Sequence, residues 1–409
     1  MKKITKAVWI LSFISLFTDV SSEMLYPIMP LYLKSIGFSV VLIGVLEGFA
    51  EAIAGLSKGY FGKLSDQNGK RVPYVQFGYL LSAVSKPIMG FFTFPLWIFL
   101  SRTMDRLGKG IRTGARDALL SDEATPETKG TVFGFHRSMD TLGAVIGPTF
   151  ALVFLYFYPE NYSVLFFIAA IPGLSAFLIS GLLKENKKAK LATQEKSNFL
   201  SYFIYWKNAP ISYKKLVIGL LFFGLVNSSD LFLLLMAKSK GLEDSQVIGI
   251  YIFYNLIYAL FSLPAGVLAD KIGLKPTLIF GLFVFAFVYG GMAFAENKIH
   301  FYSLFFLYGI YAASTEGISK ALITNITPTT DSASAIGTFA GLNSIAALIA
   351  SNLGGLIWFY SGPKSMFFIS AVVSVAVSFY FIRLSLKKLK EFEGAYSPSN
   401  SSKIGQSGL

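Results

Sequence analysis

The chain has 409 residues, of which 54% are hydrophobic and 14% charged, with a net charge of +13 and no cysteine. An ordinary soluble domain carries about 25% charged residues, so a water-soluble globule of this size is excluded. The missing thiols exclude disulfides, thiolate metal sites and thiol catalysis.

Lys2, Lys3 and Lys6 precede a first apolar run over 7–33, which contains acids and lacks a small-residue cleavage site. It reads as a membrane span, not a signal peptide. Further runs follow at 39–62, 72–94, 95–118, 129–158 and 161–183, each near the ~20 residues that cross a ~30 Å hydrocarbon core. A Lys-rich linker over 184–212 includes an amphipathic stretch, 199–206, expected along the membrane surface. A second set runs over 213–236, 243–268, 274–296, 299–322, 335–360 and 364–385. The Ser-rich end of the 387–409 tail has no apolar period and predicts disorder. The expected division is a six-helix bundle over 1–183, the linker, a second bundle over 213–386 and the tail.

The basic excess reports topology and not nucleic acid. Lys and Arg gather in alternate connections, at Lys63, Lys70 and Arg71, at Lys184, Lys187, Lys188 and Lys190, at Lys271 and Lys275, and at Lys387, Lys388 and Lys390. The positive-inside rule then places both termini and the linker in the cytoplasm of a multi-pass inner-membrane protein.

The halves repeat. Residues 62–71, GKLSDQNGKR, are echoed by 266–275, GVLADKIGLK, and KGTVFGF from Lys129 by IGTFAGL from Ile336. Ser21, Ser22 and Glu23 are matched more loosely by Ser228, Ser229 and Asp230.

Over nearly its whole length the sequence resembles the major facilitator superfamily, whose signature loop is matched at Gly62, Leu64, Asp66, Gly69, Lys70 and Arg71. The resemblance implies an all-α membrane protein of twelve transmembrane helices in two six-helix pseudo-repeats, with a site at their interface. It implies a transporter and not an enzyme, without cofactor or resident metal, and expected to be a monomer. Gly143, Gly147 and Pro148 are similar to the core of a motif of proton-linked drug antiporters, although Thr149 and Phe150 replace its closing glycines. Span four, SRTMDRLGKGIRTGARDAL, resembles a bacterial subgroup of largely unassigned substrate.

A charge in mid-span costs ~2.5–3.5 kcal/mol on insertion scales, so each needs a partner or a task. Asp19 and Glu23 share one helix face, as do Glu47 and Glu51, and paired carboxylates in low dielectric are candidates for proton coupling. His136 and Asp140 lie on adjoining turns and form a candidate relay. Arg102, Arg106 and Arg137, with Lys86, are candidates for holding an anion, since guanidinium forks match carboxylates. Asn227, Tyr251, Tyr254, Asn255, Glu316 and Asn343 are candidate polar contacts from the second half. Glu316 and Lys320, four apart, are expected to pair with each other. Gating falls to Gly62, Asp66, Gly69, Arg71, Arg112, Arg116 and Asp270, with Asp66 expected to accept from Arg112 or Arg116. The partners expected are protons, a small-molecule substrate and the bilayer. The leading expectation is proton-coupled transport of a polar anionic solute, with organic carboxylates and citrate-like iron chelators first. The alternatives are export of lipophilic cations by a drug antiporter and, third, a divalent metal carrier using Asp19, Glu23 and His136.

Overall fold

The computed structural model of the chain describes residues 4–26, 28–185 and 202–385. Residues 186–201 of the expected linker and the tail from 386 lie outside the described residues, as do the side chains of Glu47 and Glu51. The first half is built from α1 (Lys6–Leu25), α2 (Met29–Ser35), α3 (Val40–Asn68), α4 (Val72–Phe91), α5 (Pro95–Asp122), α6 (Lys129–Phe157) and α7 (Tyr162–Ser180). A short α8 (Tyr202–Asn208) falls within the stretch expected to be amphipathic. The second half follows with α9 (Ile211–Gly224), α10 (Leu231–Ser239), α11 (Asp244–Ile272), α12 (Leu274–Met292), α13 (Lys298–Asn325), α14 (Ser332–Ser361) and α15 (Pro363–Arg383).

Among the described residues, seven helices are long and apolar enough to cross a membrane by length and composition. The remaining spans carry charge or are broken, and the first, although its α1 is one of the seven, is also interrupted. The first is split into α1 and α2, where the sequence carries Pro27 and Pro30, and proline supplies no amide to a helix interior. The seventh is split into α9 and α10 around Asn227, Ser228 and Ser229, whose side chains compete for backbone groups. Counting each split pair once gives twelve membrane helices, six in each half.

The helices turn Phe outward, as at Phe91, Phe157, Phe287 and Phe359. Acyl chains solvate such surface well. Inside, glycine sets how closely helices approach. A Cβ added to Gly143 would stand 2.6 Å from the Leu16 carbonyl oxygen, and one on Gly147 2.6 Å from that of Val20. The glycine pattern shared with drug antiporters therefore seats α1 against α6.

The halves meet most tightly at the end carrying the α3–α4 and α11–α12 turns, called here the latch end. α3 lies on α14 there, where a Cβ at Gly62 would be 2.4 Å from the Ala333 carbonyl oxygen. α6 lies on α11, where a Cβ at Gly266 would be 2.1 Å from that of Gly130. Gly62 and Gly266 are equivalent in the internal repeat, so the two contacts are related by it.

Candidate functional site

At the latch end each half caps a helix of the other. Asp66 accepts from the Ser334 amide at 2.7 Å and its hydroxyl at 2.8 Å, in the first turn of α14. Asp270 accepts from the amides of Gly130 and Thr131, both at 2.8 Å, in the first turn of α6. An acid there satisfies otherwise unpaired amides and meets the positive end of the helix dipole. Arg71 donates to Asp66 and to the Thr329 carbonyl, each at 2.9 Å, and to Asp122. Gly69 closes α3 in the left-handed region, φ 61°, which turns the chain toward Arg71. The Glu185 carboxylate caps α4 by accepting from the amides of Arg71 and Val72, both at 2.9 Å. Asp66 lies beyond the 39–62 span, and burial lifts its carboxyl to about 6 against the opposing pull of Arg71 and Ser334.

The expected pairing of Asp66 with Arg112 or Arg116 is therefore replaced by Arg71 and Ser334. Arg112 points into its own half, where it donates to the Ser82 hydroxyl at 2.7 Å and lies 4.6 Å over the Tyr79 ring. Arg116 pairs with Asp117 at 2.9 Å and reaches Ser15 at 3.2 Å and Asp140 at 3.9 Å.

Deeper in the first half, Asp105 gathers cations: Lys86 at 3.1 Å, Arg102 at 3.5 Å and Arg106 at 3.6 Å. Asp105 and Asp117 were not expected as site residues, yet several of the predicted cations converge on them. Arg137 pairs with Asp140 at 2.7 Å and crosses to Glu316 of α13 at 3.4 Å, with the Tyr258 ring 6.0 Å away. Lys320, one turn along α13, pairs with Asp117 at 2.7 Å. Glu316 and Lys320 thus do not pair with each other: each finds an opposite charge on the other half. His136 is buried with neither ring nitrogen hydrogen-bonded, and Asp140 instead accepts from Ser15.

A cavity of about 800 Å³ lies between the halves, toward the end opposite the latch. α2, α3, α5 and α6, with Tyr26 from the break between α1 and α2, line one side and α10, α11 and α14 the other, and both broken spans border it. Of the predicted substrate residues, Arg102, Tyr251 and Asn343 line this cavity. Lys86 and Arg106 are buried around Asp105. Asn227 donates to the Tyr311 hydroxyl at 3.1 Å, Asn255 to the Tyr251 carbonyl at 3.0 Å, and the Tyr254 ring lies 4.9 Å from that of Tyr308, tilted by 33°. Tyr308 donates to Asp230 at 2.6 Å.

Asp19 and Glu23 are half-buried on α1, and neither makes a hydrogen bond or salt bridge to a described residue. Their electrostatic neighbours include Lys109 and Arg112 for Asp19, and Lys109, Arg106 and Arg102 for Glu23. Among the described residues no three His, Asp or Glu side chains converge as a metal site requires.

The sequence profile of the Major Facilitator Superfamily matches residues 11–254 and, in a second match, 231–401. An uncharacterised MFS-type transporter of Methanocaldococcus jannaschii is 33% identical over 380 residues, covering 91% of this chain and 94% of that protein. A homolog of the multi-drug resistance efflux pump PmrA in Lactococcus lactis is 24% identical, covering 91% of this chain and 94% of its own length. Among solved structures, E. coli FucP in its outward conformation superposes with a TM-score of 0.76 at 12% identity, covering 93% of this chain and 99% of that one.

Proposed function

Since this chain belongs to the major facilitator superfamily, a family of membrane transporters and not of enzymes, we propose that it carries an organic anion by proton-coupled alternating access. It acts as a monomer in the inner membrane with both termini cytoplasmic, so the latch end is the cytoplasmic gate and the cavity faces outward. The carrying observation is the pair Asp19 and Glu23, set within a span beside Lys109, Arg106 and Arg112, with no hydrogen-bonded or ion-paired partner among the described residues. When both are ionised they offset those cations. When they are protonated the cations are in surplus, so proton and anion favour each other's binding. Arg102 faces the cavity and is the first contact for the anion. Arg137 is held deeper, between Asp140 and Glu316. Opening the cytoplasmic end then requires release of Asp66, Asp270 and the two cross-half ion pairs.

The reading predicts proton uptake on adding organic carboxylates to purified protein near neutral pH, and uptake of the same anions into proteoliposomes driven by an inward proton gradient. Asp19→Asn with Glu23→Gln should abolish the gradient dependence while leaving anion exchange. Proton release on binding lipophilic cations, with no response to carboxylates, would instead establish drug/proton antiport. That second reading is supported by the relative named as a multidrug pump and by the apolar cavity walls.

A further inference from the structure

The walls of the cavity constrain the shape of the transported anion, an inference that rests on the anion reading above. Among the described lining residues Arg102 is the charged one. Its guanidinium already faces Asp105 at 3.5 Å, while Lys86 and Arg106 converge on that same carboxylate. Among the described residues the cavity thus presents a single cationic contact and not a basket of cations. Apolar side chains dominate the rest, with Met29 and Leu33 from the first half opposite Leu234 and Val247 from the second.

A small polyanion is poorly matched to these walls. With one carboxylate on Arg102, its others would find no second described cation, only neutral donors such as Tyr251 and Asn343, which do not offset the cost of dehydrating a carboxylate. A monoanion with an apolar body reverses the balance, because its head takes the fork while its body leaves water for Leu and Val. The volume of about 800 Å³ also lies in the upper part of the roughly 300–1,000 Å³ typical for drug-sized ligands. We infer that the substrate is an amphipathic monoanion, a single carboxylate or comparable oxyanion on an apolar body that bridges the two halves.

The test is a homologous series of 4-alkylbenzoates, from benzoate to 4-butylbenzoate, bound to the full chain in lipid nanodiscs with empty nanodiscs subtracted. Citrate and 4-butylbenzyltrimethylammonium are measured alongside. Affinity should rise with each added methylene, by up to about fourfold per step. Arg102→Gln should weaken the whole series tenfold or more and keep its slope. The slope in the unmodified protein decides the matter even if that variant does not fold. A flat series with citrate bound overturns the inference and leaves the anion reading standing. Binding of the ammonium alone overturns both, and equal binding of ammonium and benzoate overturns the inference, since the head would then carry no selectivity.

Discussion

A carboxylate with no exposed surface persists beside fixed cations, and Asp117 has two, Arg116 at 2.9 Å and Lys320 at 2.7 Å. Lys320→Met should cost about 1.5–3 kcal/mol in equilibrium unfolding, the scale of a hydrogen bond to a charged group, because Arg116 still pairs with Asp117. A loss under about 1 kcal/mol, the scale of an exposed pair, would refute a structural role for the contact. Asp66 supplies a pH dependence. Burial lifts its carboxyl to about 6 in the closed latch, against about 3.9 for a solvated Asp. The closed state therefore binds this proton more tightly, and the resulting stability is full below pH ~4 and lost as pH rises through ~6. Asp66→Asn should flatten that part of the melting-temperature profile, and an unchanged profile would assign the dependence elsewhere. Asp66 itself was legible, because its loop is repeated at Asp270. Its partner was not, since a sequence gives no register between α3 and α14. Glu316 and Lys320 show the same limit: four-residue spacing places them on one face, but Arg137 and Asp117 come from the other half of the fold.

At the scale of the element, apolar run length marked twelve continuous spans, and ten of them are single helices. It did not resolve spans one and seven, because a stretch such as Ile211 to Ser239 remains apolar on average across the Asn227–Ser229 interruption. Prolines at 27 and 30 were the available signal for the first. Both breaks border the cavity, and so the proposed substrate site. Glycine carries the other element-level message. Gly266→Val would drive a side chain into the Gly130 carbonyl, 2.1 Å from the added Cβ, and should prevent the latch end from closing. The chain has no native cysteine, so a single Ser262→Cys, buried at this contact with 1% exposure, reports the event. Thiol labelling should be at least tenfold faster with Gly266→Val, and an unchanged rate would mean that α6 and α11 yield without separating.

For the whole molecule, composition alone indicated that the solvent is lipid, and the internal repeat anticipated two related bundles. Their closure at one end and the cavity toward the other were not legible, because both depend on which of several packings the same twelve helices adopt. The reciprocal caps give that packing a built-in clock. Opening the latch end strips Asp66 from the Ser334 amide and Asp270 from those of Gly130 and Thr131. Each separation of the halves thus exposes three backbone protons to solvent, and each closure shields them again. Deuterium should enter these three sites together, at a rate set by how often the gate swings, without any label attached to the protein.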